Sequence, residues 1–326
     1  MIDGAPRTIP VIGPEQTRDA LPFDRLIPAL RTAFAADAET PARHHHHIGH
    51  ADGNHGVLLL MPAWQGGMLG VKIATIFPGN NARGLPSVHS SYLLSDGTTG
   101  APIAMLDGDE ITARRTAAVS ALAASYLARE DAASLLIVGA GRLGRLAASA
   151  FGAVRPIRRV SVWNRNGAKA EALAAELRAT GLDATAVASL EHAAADADII
   201  TCATPSTEPL IHADWLRPGT HLDLIGSFTP AMREADDACM TRGKVYVDTR
   251  DALVEAGDLI GPIQAGMLAE GDIKGSLADL CGGRVAGREK DGDLTVFKAV
   301  GTALADLAAA MLVRDALFSS SSAQGA

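Results

Sequence analysis

With 326 residues, 48% of them hydrophobic but only 4% aromatic, the chain is long enough for two domains whose interiors rest on Ala, Leu, Val and Ile rather than on rings. A formal net charge of -8 argues against a protein that coats nucleic acid through a basic face, while leaving room for a local cationic pocket. Cys202, Cys239 and Cys281 lack CxxC spacing, the amino terminus has no basic-then-apolar leader, and no stretch approaches the roughly 20 apolar residues that span a membrane; a reducing, cytoplasmic setting without disulfides or zinc is expected.

Residues 18–36 set Leu21, Phe23, Leu26, Ile27, Leu30 and Phe34 at helical spacing, which predicts a helix. Next comes His44-His45-His46-His47, with His50 and His55 close by. A metal tract is one reading of it. A strand would send alternate rings to opposite faces, so one or two rings in the wall of a site is the favoured reading. Runs 57–61, 70–76 and 89–94 are short and apolar or β-branched, separated by turns such as Pro78-Gly79-Asn80-Asn81, and Ser95-Asp96-Gly97-Thr98 has the composition of a hairpin turn. They predict an N-terminal domain built mainly on a sheet.

Residues 112–129 predict a long alanine-rich helix bridging this domain to the next. Strand 134–139 then runs into helix 142–154, strand 160–163 into helix 168–180, and further strands follow at 183–187, 198–203, 221–226 and 244–248. Such alternation predicts a doubly wound parallel sheet covered on both faces. A helix over 296–312 and a frayed end over 319–326 complete the pattern.

The turn Gly139-Ala140-Gly141-Arg142-Leu143-Gly144 follows an apolar strand, opens a helix and precedes a second strand ending at Trp163. Those three conditions together make it a dinucleotide fingerprint. Gly139 permits the tight turn, Gly141 admits the pyrophosphate, and Gly144 lets helix and sheet approach. Sites for NAD usually place Asp or Glu after the second strand, on the ribose 2′-hydroxyl. Here Asn164 and Arg165 stand instead. A guanidinium with no carboxylate beside it favours a 2′-phosphate, hence NADPH, with NADH possible.

Three cations outside that segment suggest an anionic substrate. Arg43 precedes the histidines, Lys72 interrupts an apolar strand, and Arg115 is expected in the first turn of the bridging helix, where the macrodipole disfavours a cation. Together they suggest a substrate carboxylate.

Taken in order, Gly70-Val71-Lys72, Gly84-Leu85-Pro86-Ser87-Val88-His89, Asp107-Gly108, Thr112-Ala113-Arg114-Arg115-Thr116-Ala117-Ala118, the glycine turn, Ala203-Thr204-Pro205-Ser206, Leu224-Ile225-Gly226-Ser227 and Thr295-Val296-Phe297-Lys298-Ala299-Val300-Gly301 resemble the ornithine cyclodeaminase/μ-crystallin family over roughly residues 40–310. The resemblance implies a homodimer. It also implies a substrate and dimerisation domain at 1–115 and 302–326, with a Rossmann domain inserted at 116–301. Arg43, Lys72 and Arg115 match the family's carboxylate ligands. Ser87, Arg142, Leu143, Thr204, Ile225, Gly226 and Ser227 match its cofactor contacts, and Val300 its substrate pocket.

One departure bears on the reaction. Ornithine cyclodeaminases carry an aspartate two residues after the glycine that is Gly226 here, whereas this chain reads Gly226-Ser227-Phe228-Thr229-Pro230, followed by Met232-Arg233-Glu234. Phe228 can neither take a proton nor bind an ammonium group. The run is similar to the branch that reduces cyclic ketimines, Δ1-pyrroline-2-carboxylate to L-proline and Δ1-piperideine-2-carboxylate to L-pipecolate, and an apolar ring suits a flat imine. Lys72 is the first candidate proton donor, with a water or Asp258 to balance three cations. The alternatives are an alanine- or opine-type dehydrogenase, ornithine cyclodeamination, and a non-catalytic ligand-binding protein.

Overall fold

In the computed structural model, which describes residues 8–49 and 55–318, the chain divides into two units, one up to Arg115 and again from Thr302, the other Thr116–Gly301. The first holds β1 (Val11–Ile12), α1 (Pro14–Asp19), α2 (Phe23–Ala35), β2 (His44–Ile48), β3 (Gly56–Gln65), β4 (Met68–Ile76), β5 (Val88–Asp96) and β6 (Pro102–Asp107). The helix α3 (Gly108–Leu127) carries the chain into the second. There follow β7 (Ser134–Val138), α4 (Arg142–Gly152), β8 (Arg159–Trp163), α5 (Gly167–Ala179), β9 (Asp183–Ala186), α6 (Leu190–Asp196), β10 (Ile199–Cys202), β11 (His221–Leu224), α7 (Asp237–Arg242), β12 (Lys244–Val247), α8 (Ala252–Glu255), α9 (Gly257–Gln264), β13 (Gly275–Ser276), α10 (Leu277–Cys281) and β14 (Thr295–Lys298). The last helix, α11 (Ala303–Phe318), belongs to the first unit again.

Strands β2 to β6 form an antiparallel meander ordered β6-β5-β4-β3-β2, with β1 added parallel to β6. The period of two sorts their side chains. Met61, Ala63, Lys72, Ala74, Tyr92 and Leu94 share one face and are buried, and α11 and α2 pack on that side. The helix expected over 18–36 is in fact two, because the chain leaves α1 after Asp19 and Pro22 stands extended as the N-cap of α2. The histidine run is the edge strand β2.

The second unit is an all-parallel sheet ordered β9-β8-β7-β10-β11-β14-β12-β13. Its first five strands follow the 3-2-1-4-5 order of dinucleotide-binding folds, with the crevice at the switch point between β7 and β10. Leu136, Ile137, Val138, Ile199, Ile200 and Leu222 are wholly buried, which is why these strands read as continuous apolar runs. Each such side chain contributes about 1.5–3 kcal/mol by leaving water. The apolar run from Val296 corrects the expected 296–312 helix: its start is the central strand β14, and helix begins only at Ala303. Among the described residues no helix is long and apolar enough to cross a membrane.

Candidate functional site

Strand β7 delivers the chain to Gly139 at φ +113°, a conformation that residues with a side chain rarely adopt. A Cβ on Gly139 would meet Ala203 O at 2.7 Å, and one on Gly144 would stand 2.0 Å from Gly139 O, so α4 reaches the sheet only with glycine at both. Gly141 differs, since nothing lies within 4 Å of the place its Cβ would take. It is the extended N-cap of α4 and supplies no capping side chain, so an anion placed there would meet the amino-terminal end of the helix dipole. Arg142 is exposed at the first helical position, Leu143 half-buried and Gly144 buried. This open cradle fits the pyrophosphate of a dinucleotide.

At the end of β8 three polar residues divide the work. Asn164 Oδ1 accepts from Ala140 N at 3.3 Å, fastening it to the glycine turn. Asn166 caps α5 by accepting from Ala168 N at 3.0 Å. Arg165 between them is exposed.

The remaining expected contacts of this unit also follow the carboxyl ends of strands, the edge where open parallel sheets hold ligands. Thr204 follows β10; Ile225, Gly226, Ser227 and Phe228 follow β11; Val300 follows β14. Thr204 and Ser227 are buried, Ile225 and Gly226 half-buried, and Phe228 is 45% exposed. Val300 N and Gly301 N donate to Asp248 Oδ2 at 3.0 and 2.7 Å.

In the first unit the register places Met61, Lys72 and Tyr92 side by side across β3, β4 and β5. Lys72 Nζ lies 2.8 Å from Asp306 Oδ2, and Arg115 Nε donates to Asp306 Oδ1 at 2.7 Å. All three side chains are buried. Burial lowers Lys72 to about 8; Asp306 resists this, while Arg115 and Arg43 add to it. Burial alone would raise Asp306, but Arg115 and Lys72 hold it below the ordinary carboxylate range. Arg115 stands about two turns inside α3, which starts at Gly108, so the macrodipole reason for suspecting it is corrected. Its counter-ion is Asp306, which the pattern missed. The signal for Asp306 was a single acid in the otherwise apolar 303–313 stretch.

Arg43, half-buried just before β2, lies near enough to depress both Lys72 and, after burial, His45. His45 and His47 share the Lys72 face, whereas His44 and His46 point to the other, their ring centroids 6.4 Å apart. His50 lies outside the described residues, as does the 319–326 end. Among the described residues no group of three or more His, Cys, Asp or Glu is arranged to hold a metal. Ser87 Oγ, on the turn before β5, is buried without a hydrogen-bond partner. Asp258, expected as a balance for the cations, has partners of its own. It is wholly buried in the second unit, accepts from Glu234 N and Ala235 N at 2.7 and 3.1 Å, and faces Lys298 at 3.2 Å.

The model of the ornithine cyclodeaminase/mu-crystallin family matches residues 15–321. An uncharacterised protein of Schizosaccharomyces pombe is 45% identical over 311 residues, 91% of this chain and 94% of the relative. A Δ1-pyrroline-2-carboxylate reductase of Paracoccus denitrificans is 42% identical over 255 residues, 77% of this chain and 81% of the relative. Among solved structures, the Thermococcus litoralis Δ1-pyrroline-2-carboxylate reductase in complex with NADH and L-proline superposes with a TM-score of 0.90 at 33% identity, covering 96% of this chain and 98% of that one.

Proposed function

Since this chain belongs to the ornithine cyclodeaminase/mu-crystallin family, we propose that it is an NAD(P)H-dependent ketimine reductase that converts Δ1-pyrroline-2-carboxylate to L-proline and accepts the six-membered homologue. The observation that carries this choice is Phe228, an exposed aromatic ring on the loop after β11 where cyclodeamination needs a carboxylate.

Arg43, Lys72 and Arg115 hold the substrate carboxylate. The Nε of Arg115 is spent on Asp306, which leaves its two η amino groups for that task. A bound reduced nicotinamide supplies hydride to C2 of the imine. As the C2–N π pair moves onto nitrogen, the Lys72 ammonium gives up a proton to it, and Asp306 holds that ammonium in place beforehand. The product carries one new C–H and one new N–H bond, and Lys72 regains its proton from solvent.

The dinucleotide is held by Gly139, Gly141, Arg142, Leu143 and Gly144 at the turn, by Asn164 and Arg165 at the ribose, and by Ser87, Thr204, Ile225, Gly226 and Ser227. Exposed Arg165 with no neighbouring acid supports NADPH over NADH. Val300 and Phe228 form the apolar wall.

The protein works as a homodimer. Supporting this, the face of the first sheet away from α2 and α11 carries Leu58, Leu60, Val71, Ile73, Leu93 and Met105, of which Ile73 and Met105 are 36% exposed. Light scattering on the eluted protein checks the mass. The activity is checked by consumption of NADPH with Δ1-pyrroline-2-carboxylate and identification of L-proline; a purified protein inert with both cyclic imines contradicts it.

A further inference from the structure

Strands β10 and β11 are paired along their whole length, and the last bond of that ladder runs from Ile225 N to Cys202 O at 3.0 Å. Beyond it the ladder ends, and the loops that start at Ala203 and Gly226 follow. One buried carboxylate ties them together again. Glu234 Oε1 accepts from Thr204 N at 2.7 Å and Thr204 Oγ1 at 2.9 Å, while Oε2 accepts from Gly226 N at 2.7 Å and Ser227 N at 3.2 Å. The approach is so close that a Cβ on Gly226 would stand 2.4 Å from Glu234 Oε1 and 2.2 Å from Thr204 O.

Glu234 is itself fixed from behind. Its C=O accepts from Leu210 N and Ile211 N at 2.9 and 3.0 Å, and its N–H donates to Asp258 Oδ1 at 2.7 Å. Asp258 in turn faces Lys298, which is fully buried on β14. Burial raises Glu234 above the ordinary carboxylate range; Lys298 and the backbone N–H groups of Thr204 and Gly226 oppose the shift, while Asp258 adds to it. A charge buried this deeply costs more than an apolar side chain would, so the fold alone gives little reason to keep it. The strands do not need it, since their ladder is complete without it. What it governs is the stretch of backbone past the ladder, three of whose residues are the proposed cofactor contacts.

We propose that Glu234 is a positioning residue for the dinucleotide, clasping Thr204 to Gly226-Ser227 so that the two loops stand in receiving geometry before the cofactor arrives. This deepens the dinucleotide reading above and rests on it. Preorganisation of this kind lowers the cost of binding without Glu234 touching the ligand.

The test is Glu234→Gln, which keeps the volume but turns an NH2 toward one of the two sets of N–H donors. Titrated with NADH and read by nicotinamide fluorescence, the variant should bind about 10- to 100-fold more weakly. The Michaelis constant for the imine at saturating cofactor should stay near wild type, a split that general loosening would not produce. Amide hydrogen exchange reads the clasp without cofactor or activity. In ligand-free wild type the amides of Thr204, Gly226 and Ser227 should be protected like the strands they follow, and in Glu234→Gln they should exchange at least ~10-fold faster. If the variant does not fold, the wild-type exchange decides alone, and rapid exchange at those three amides overturns the inference. A folded variant with wild-type NADH affinity overturns it as well. Wild-type protein that binds no dinucleotide overturns the cofactor reading itself and this inference with it.

Discussion

Asp306 Oδ2 lies 2.8 Å from Lys72 Nζ, and both side chains are buried. The two come from a terminal helix and a strand far away in sequence, and burial, opposed by Asp306, sets when Lys72 can act as an acid. Lys72 carries its proton below about 8 and loses it above. A proton donor must be protonated, so kcat/KM for the cyclic imine should fall as pH rises through about 8, and a profile flat to pH well above that value would remove Lys72 from the role.

Asp306→Asn removes the charge that resists the depression of Lys72. The alkaline fall in kcat/KM should then move to lower pH, with activity recovered on the acid side. A general loss of structure would not recover there. The substitution leaves two buried cations without their carboxylate, so thermal unfolding should also report a loss of about 3–5 kcal/mol. Because the folded value of Asp306 lies below its unfolded one, its contribution is present above the ordinary carboxylate range and lost as pH falls through the folded value.

Arg115→Ala removes a charge-assisted contact worth about 1.5–3 kcal/mol, which should lower turnover at limiting imine by one to two orders of magnitude. Dinucleotide binding, followed by fluorescence, should change little because Arg115 is paired with Asp306 and assigned to the substrate carboxylate, not to the cofactor. Normal imine kinetics in a folded Arg115→Ala protein would sink its assignment.

Much of this was legible because it is local. The glycine turn announces itself through backbone requirements at neighbouring positions, and Gly139 and Gly144 meet them in space. Lys72 stood out as a charge inside an apolar strand. Arg115 was found for a reason the structure withdraws, since it is not in the first turn of α3. Its true partner, Asp306, is 191 positions away, a separation over which spacing carries no information. Glu234 was hidden for the same reason, its carboxylate serving Thr204 from 30 positions off. Val296 to Lys298 was misread as helix because a short apolar run has no period that separates a buried strand from a buried helix.

Arg165→Ala tests the cofactor. With an exposed guanidinium at the end of β8 and no acid beside it, the substitution should raise the Michaelis constant for NADPH far more than that for NADH. Equal changes for both would show that Arg165 does not meet the 2′-phosphate.

The measurement that bears most directly on the function compares two substrates on one wild-type preparation, Δ1-pyrroline-2-carboxylate with NADPH and L-ornithine with NAD⁺. Phe228 offers no carboxylate to manage an amine. The expected result is oxidation of NADPH with formation of L-proline and no release of ammonia from ornithine. Ammonia released from ornithine at a rate comparable to imine reduction would contradict the reading of Phe228, and with it the choice of a reductase over a cyclodeaminase.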